Sequence, residues 1–139
     1  MIVRLDHVGL AADDAVGVGR LLDALGLAKI DSGVADAYGV SCDFWQLDGD
    51  GATAVEVVSP LSENSTIAGH LARRGQGLYH LAFEVDDLEG ELRRLRGKGF
   101  LPVDAEPCAG ARRGMQVAFT YLPPPAELLV ELVHYAEPG

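Results

Sequence analysis

His7-Val-Gly-Leu-Ala-Ala-Asp13-Asp14 and His80-Leu-Ala-Phe-Glu-Val-Asp86-Asp87 are two stretches of the same pattern, placed 73 residues apart. In each, a histidine is followed by an apolar run and then by a pair of aspartates. Two further pairs keep nearly the same spacing, Gly26-Leu27 with Gly99-Phe100 and Val55-Glu56-Val57 with Val130-Glu131-Leu132. Landmarks at a nearly constant offset indicate an internal repeat, so the sequence predicts two similar halves.

The first part of each half predicts a strand followed by a helix. The runs from Val3 to Ala11 and from Leu78 to Val85 have the apolar pattern of strands, and the aspartate pairs after them are typical helix N-caps. Gly26 and Gly99 are suited to end the two helices. Apolar side chains recur at helical spacing between caps and glycines, as Val18, Leu21, Leu22 and Leu25 and as Leu88, Leu92 and Leu95.

The second part of each half predicts three shorter strands. They lie at about 29–32, 40–47 and 54–59, and at about 101–105, 116–121 and 128–133, with a turn at Asp48-Gly49-Asp50-Gly51. The sequence therefore predicts an α+β fold of two tandem βαβββ modules, at about 1–60 and 77–136. A linker helix at about 61–76, capped by Asn64 or Ser65, joins them. Because one half alone is marginally stable, residues 1–139 are expected to form one domain.

The composition excludes several classes of partner. The chain has 139 residues, and its 21 acidic and 11 basic side chains give a net charge of −10. That charge argues against binding to nucleic acid or to an anionic membrane, and no apolar run approaches the ~20 residues of a spanning helix. The N-terminus lacks an apolar signal core, and there are two cysteines, so we expect a cytoplasmic protein with reduced thiols.

The repeat places two histidines and two glutamates at equivalent positions. His7 and His80 lie on the first strand of each half, and Glu56 and Glu131 lie on the last. If the halves pack around a pseudo-two-fold axis, the four side chains converge, and imidazole with carboxylate suits a divalent first-row metal ion. Each residue also has a simpler explanation, since a lone histidine is commonly a core residue and a glutamate between valines commonly faces solvent.

Four stretches resemble the vicinal oxygen chelate superfamily, and within it the branch of methylmalonyl-CoA epimerases. They are Leu5-Asp-His7-Val-Gly-Leu, Val55-Glu56-Val-Val-Ser-Pro60, Gly77-Leu-Tyr-His80-Leu-Ala-Phe-Glu-Val-Asp-Asp87 and Leu129-Val-Glu131-Leu. The resemblance covers residues 3 to 135. It implies a curved mixed sheet around a central cleft, with one divalent ion per chain bound by His7, Glu56, His80 and Glu131. Co²⁺ is the foremost candidate, followed by Ni²⁺, Mn²⁺ and Zn²⁺.

The function implied by the resemblance is that of a metal-dependent epimerase. The ion is implied to chelate two oxygens of a malonyl unit and to stabilise the enolate that forms when the α-proton leaves. Glu131 and Glu56 are expected to be ligands, and either is able to exchange a proton with substrate. Asp43 is a candidate acid or base outside the ligand set, and its alternative role is that of a solvated aspartate at a strand edge.

The sequence departs from the epimerase pattern at three places. Asp36-Ala37-Tyr38-Gly39 stands where epimerases often carry a Pro-Glu-(Gln/His)-Gly stretch, so the glutamate of that stretch is missing. Cys42 stands where some members have a glutamate, and Tyr121-Leu-Pro123-Pro-Pro-Ala-Glu127 replaces a loop that carries a lysine and two glycines. A small-molecule substrate is the expected partner, and the resemblance implies that it is an acyl-CoA and that the protein is a homodimer. Alternative functions are a glyoxalase-type lyase, a dioxygenase, or a metal-free small-molecule binding protein like the drug-resistance members.

Overall fold

A computed structural model describes residues 1–47 and 52–136, and the predicted turn at 48–51 lies outside these residues. The described part of the chain contains nine strands and three helices. In chain order they are β1 (Ile2–Ala11), α1 (Ala15–Ala24), β2 (Ala28–Ala35), β3 (Val40–Gln46), β4 (Ala54–Pro60), α2 (Ala68–Arg74), β5 (Gly77–Val85), α3 (Leu88–Gly97), β6 (Leu101–Pro102), β7 (Cys108–Ala109), β8 (Met115–Leu122) and β9 (Leu128–Tyr135).

The strands form one mixed sheet in the order β2-β3-β4-β1-β5-β9-β8-β6, with β7 paired to β8. At its centre the first strands of the two halves, β1 and β5, run antiparallel to each other. Each pairs on its outer side with the last strand of its own half in parallel, β1 with β4 and β5 with β9. This arrangement confirms the predicted α+β fold of two tandem βαβββ modules. The extent of the domain along the chain stays a prediction.

The register of the two parallel pairs repeats residue by residue. Gly9 pairs with Glu56 in the first half, and Ala82 pairs with Glu131 in the second. These partners differ by the same offsets, 73 and 75 residues, that the sequence repeat shows. The two glutamates therefore occupy matching places beside the two central strands.

Strand β4 is buried on both of its faces, which explains its nearly continuous apolar sequence. Val57 packs with Leu22 of α1 on one side of the sheet. Glu56 and Val58 point to the other side and line a cavity. A glutamate between two valines here faces the interior, because a helix covers the valine face and the second half covers the glutamate face.

The helix N-caps are confirmed, whereas the predicted apolar stripe of α1 is partly wrong. The carboxylates of Asp14 and Asp87 accept hydrogen bonds from the backbone N–H groups of Gly17 and Gly90. On α3, Leu88 and Leu95 are buried as expected. On α1, Leu22 is buried, but Leu21 and Leu25 remain 68% and 73% exposed.

The reason lies in which face of α1 meets the sheet. Gly19 lies against the ring of Trp45, so closely that a Cβ there would be 2.8 Å from Cζ2. This contact turns Gly19 and Leu22 to the sheet and leaves Leu21 outside.

Within the described residues, no helix is both long and apolar enough to span a membrane.

Two other elements are shorter than the sequence predicts. The linker helix begins at Ala68 rather than near 61, and Ser65 accepts a hydrogen bond from the Ile67 N–H instead of capping the helix end. The strand expected at 101–105 ends at Pro102. There the Asp104 carboxylate accepts the bond that the Phe119 N–H would give to a strand partner.

Candidate metal centre

Four side chains converge where the two halves meet. The Nε2 atoms of His7 and His80 lie 3.1 Å apart. Glu131 Oε1 lies 2.8 Å from His7 Nε2 and 3.4 Å from His80 Nε2. Glu56 Oε1 lies 3.4 Å from each of these two nitrogens. The structure thus brings together all four residues that the resemblance implied as ligands.

All four side chains are buried, and the local backbone explains how they come so close. His7 is wholly inaccessible, and His80, Glu56 and Glu131 are each at most 5% exposed. Strand β1 passes the His80 ring at Gly9, where a Cβ would lie 2.3 Å from Cε1 of that ring. Only glycine leaves room for the imidazole at this position, so Gly9 is needed for the geometry of the site.

The charges of the four groups are strongly coupled. Burial lowers the pKa of the His7 imidazole, but Glu56, Asp6 and Glu131 outweigh burial and hold the net pKa well above its usual value. The pKa of His80 is raised in the same way, chiefly by Glu131. Burial raises the pKa of Glu56 and Glu131, but the two imidazoles outweigh it and keep both below their usual value. Without a metal ion, protons on the histidines therefore balance the two carboxylates.

Three of these four side chains form a group able to hold a metal ion, and Glu131 lies beside them. Two ligand atoms that each lie about 2.0–2.1 Å from one ion are separated by about 3 Å, and the glutamate-to-imidazole distances of 2.8 to 3.4 Å are of this size. His7, Glu56 and His80 each offer one ligand atom within 4.8 Å of the others, a grouping able to hold a metal ion. Glu131 Oε1 is buried and has no hydrogen-bond partner among the described residues, although His7 Nε2 is close. A buried carboxylate oxygen without a hydrogen bond is what a metal ligand leaves when the ion is removed.

Asp6 is a residue of the site to which the sequence analysis gave no role. Its carboxylate lies 2.7 Å from His7 Nδ1 and also accepts hydrogen bonds from the Tyr135 hydroxyl and from Arg4. The ladder between β1 and β5 skips Asp6, and this irregularity accounts for Asp6 reaching the ring of its neighbour. Asp6 immediately precedes His7 in the repeat, but Tyr79 precedes His80, so the repeat gave no signal for this contact.

A cavity with an empty volume of about 400 Å³ leads to the four side chains. Glu56, His80 and Glu131 form part of its wall. Its remaining lining is largely apolar, with a few protic groups, and includes Val58, Met115, Val117, Phe119, Tyr38 and Cys42. The donor set is therefore open on one side to a small ligand and shielded from bulk water elsewhere.

The structure does not bring Asp43 to this cavity. Along β3 the side chains alternate, so Cys42 lines the cavity and Phe44 contacts His7, with 5.7 Å between ring centroids. Asp43 points to the other face of the sheet and lines a groove beside α1 with Arg20 and Lys29. Its position matches the alternative stated above, a partly exposed strand aspartate.

Comparison with known proteins identifies the family. The profile of the glyoxalase/bleomycin resistance protein/dioxygenase superfamily matches residues 6–119. The uncharacterized protein YqjC of Bacillus subtilis is 31% identical over 136 residues, which are 97% of this chain and 92% of that protein. The mitochondrial methylmalonyl-CoA epimerase of Homo sapiens is 30% identical over 131 residues, 93% of this chain and 72% of the human protein.

A solved structure agrees with these relatives. A variant of methylmalonyl-CoA epimerase from Streptomyces coelicolor, in complex with 2-nitronate-propionyl-CoA, superimposes with a TM-score of 0.87 and 26% identity. The match covers 98% of this chain and 99% of that chain. From the profile match, the relatives and the shared fold, we conclude that this chain belongs to the glyoxalase/bleomycin resistance protein/dioxygenase, or vicinal oxygen chelate, superfamily.

Proposed function

We propose that this protein is a metal-dependent epimerase that removes and returns the proton α to a thioester or other carbonyl, with methylmalonyl-CoA as the first substrate to test. The observation that carries the proposal is the buried set of His7, Glu56, His80 and Glu131 at the end of a small cavity. The similarity to methylmalonyl-CoA epimerases over more than nine-tenths of the chain supports it.

The four residues would hold one divalent ion, with Co²⁺ the foremost candidate and Ni²⁺, Mn²⁺ and Zn²⁺ as alternatives. Such an ion supplies a Lewis acid that stabilises negative charge developing on a carbonyl oxygen. The donor set of two imidazoles and two carboxylates, without thiolate, is compatible with all four ions. The protein's contribution is to hold the donors about 3 Å from one another before substrate arrives.

The residues around the donors define where a proton can move. Glu131 and Glu56 both line the cavity, so either is placed to take the α-proton, and Glu131 is the first candidate to test. Glu56 is shared between both imidazoles, with 3.4 Å to each Nε2. Asp43 has no step in this proposal, since it lines the groove beside α1.

The apolar wall has a chemical role as well. Val58, Met115 and Val117 are each at most 3% exposed and line the cavity. A wall of this kind limits the access of water to an enolate and strengthens the electrostatic interactions inside the site. The cavity therefore favours return of a proton from the protein over side reactions in solvent.

Proton NMR of methylmalonyl-CoA in D₂O tests the proposal. The metal-loaded protein is expected to remove the α-proton signal, and the metal-free protein is not. The Glu131→Gln variant should lose the exchange, whereas Glu89→Gln, on the exposed surface of α3, should retain it. Absence of exchange by protein loaded with one ion per chain would reject methylmalonyl-CoA as substrate and leave a glyoxalase-type dicarbonyl substrate to test.

Two further expectations from the sequence remain proposals. We propose a homodimer in the cytoplasm, as the family resemblance and the reduced thiols suggest. Sedimentation of the purified protein tests the first, since a homodimer has twice the 14.7 kDa mass of the chain.

A further inference from the structure

A second groove opens directly beside the inner cavity. It has an empty volume of about 1260 Å³, and Thr66, Tyr79 and His80 line both spaces. The two spaces are therefore adjacent, and the Tyr79 ring lies where they meet. The inner cavity is much smaller than the groove, so it would take only the small reacting end of an elongated molecule.

The groove is positively charged on the side formed by α2. His70, Arg73 and Arg74 line it, and Glu127 is the one carboxylate among its lining residues. A pair of guanidinium groups here stands out because the whole chain has a net charge of −10. The two arginines also lower the pKa of His70, after the effect of burial.

Both guanidinium groups are available to a ligand. Arg73 and Arg74 are exposed, and neither forms a salt bridge with a carboxylate of residues 1–47 or 52–136. By contrast, Arg94 on α3 binds Glu91 at 2.7 Å, and Arg112 binds Asp31 at 3.0 Å. The arginines of the groove thus differ from these two in having no internal counterion.

Helix α2 and the aromatic pair beside it form one wall of the groove. Helix α2 has seven residues and is about 10 Å long, and its last turn carries the arginines. The His70 ring packs on the Tyr79 ring, with 4.8 Å between centroids, and fixes the wall between the inner cavity and the arginines. Arg73 and Arg74 follow His70 by three and four residues, so their backbone lies about one helical turn, roughly 5 Å along the axis, beyond that ring.

We infer that the last turn of α2, through Arg73 and Arg74, binds the phosphate groups of a thioester carrier whose acyl end lies in the inner cavity. This inference rests on the proposed function. Guanidinium pairs match phosphate oxygens with two parallel hydrogen bonds, whereas a neutral tail would gain nothing from them. Glu127 on the opposite wall weakens this attraction.

Two substrates, one with and one without the phosphate-bearing nucleotide part of the carrier, test the inference. Exchange of the α-proton is measured for methylmalonyl-CoA and for methylmalonyl-pantetheine, with the metal-loaded wild type and with the Arg73→Gln/Arg74→Gln variant. We expect the variant to raise KM for the CoA thioester at least about ten-fold and to leave KM for the pantetheine thioester unchanged. Arg93→Gln, an exposed arginine of α3, should change neither value.

Glu127→Gln gives a complementary variant, for which KM for the CoA thioester is expected to fall. Equal effects of the arginine variant on both thioesters, or no effect on either, would overturn the inference while leaving the proposed function intact.

Direct binding of free CoA separates failure of the inference from failure of the proposed function. Titration calorimetry should detect binding of CoA by the wild type, weakened by added salt and by the double arginine variant. If neither thioester exchanges its proton and CoA still binds in this way, the proposed function is rejected. The inference that Arg73 and Arg74 bind the carrier phosphates is then retained. If the wild type does not bind CoA, the inference fails.

Discussion

The carboxylate of Asp6 lies 2.7 Å from Nδ1 of His7, the residue that follows it in the chain. Since the acceptor at Nδ1 is a carboxylate, the proton of the neutral ring is held on that nitrogen, and the Nε2 lone pair of that form faces His80, Glu56 and Glu131. The Tyr135 hydroxyl donates to the same Asp6 oxygen at 2.9 Å and fixes its orientation. His80 differs, because its buried Nδ1 has no hydrogen-bond partner among the described residues.

Asp6→Asn is expected to weaken metal binding without removing a ligand. An amide at this position no longer favours the proton on Nδ1, so His7 is less well prepared to bind through Nε2. The loss of such a partner typically reduces metal affinity ~10–100-fold. Calorimetric titration with Co²⁺ measures this directly.

Glu84→Gln is the matched control for this prediction. Glu84 also accepts a hydrogen bond from Arg4, but on the partly exposed side of the same network. Its removal should leave the metal affinity near that of the wild type. Equal affinities of wild type and Asp6→Asn would show that Asp6 does not orient the ligand.

Gly9→Ala is predicted to disrupt the site from the backbone side. The added methyl group would lie 2.3 Å from Cε1 of His80, so the imidazole must move out of the donor set. We expect a loss of metal binding and a lower free energy of unfolding, by about 1–3 kcal/mol as for other overpacked sites.

Gly97→Ala provides the control, because a Cβ at this helical glycine meets no atom within 4 Å. That variant should be stabilised by up to about 1 kcal/mol, since alanine has the higher helix propensity. Urea denaturation and Co²⁺ titration check both variants. Unchanged metal binding in Gly9→Ala would contradict the described packing of His80.

Metal binding should release protons, with an affinity that rises with pH. The facing carboxylates raise the pKa of His7 and His80 above the usual value despite burial, so the rings of the metal-free protein keep their protons to a higher pH than a free imidazole does. An ion binds only the neutral rings, and it must compete with those protons. Raising the pH removes these competing protons. The metal affinity should therefore rise by up to about ten-fold per pH unit for each proton released.

Calorimetry in two buffers with different ionisation enthalpies counts the protons released. A metal affinity that stays constant between about pH 6 and pH 8, without proton release, would be incompatible with this account of the site.

The helix caps allow a test of the fold that does not involve the site. Asp14 accepts a hydrogen bond from the Gly17 N–H at 2.9 Å, so Asp14→Ala should lower the free energy of unfolding by about 1 kcal/mol. Asp13→Ala is the neighbouring control and is expected to be nearly neutral, because its backbone N–H, which bonds Gln76, is retained. Similar urea midpoints for Asp14→Ala and wild type would exclude Asp14 as a stabilising cap.

The sequence predicted the fold well because each feature of one half could be compared with the corresponding position in the other half. The main strands, the caps Asp14 and Asp87, and Gly26 and Gly99 have counterparts in the two halves, and the pairing of Gly9 with Glu56 and of Ala82 with Glu131 follows the same offsets. The exposure of Leu21 and the early end of β6 were not predictable from periodicity. Both depend on tertiary contacts, of Gly19 with Trp45 and of Asp104 with the Phe119 N–H.

The site was predictable to the extent that it obeys the repeat. His7, His80, Glu56 and Glu131 are related by it, and the structure brings them together. Asp6 and the arginines of α2 have no counterpart in the other half, so nothing in the pattern indicated their place. Asp43 was predicted as a candidate acid or base, but the side chains alternate along β3. Cys42 rather than Asp43 therefore lies at the cavity.

Titration of the metal-free protein with Co²⁺, followed by visible absorption, tests most directly whether His7, Glu56, His80 and Glu131 hold one ion within reach of the substrate. We expect saturation at one Co²⁺ per chain and loss of this binding in His80→Ala. We also expect the Co²⁺ spectrum to change when methylmalonyl-CoA is added. A spectrum that does not saturate, or one that is unchanged in His80→Ala, would contradict this account of the site.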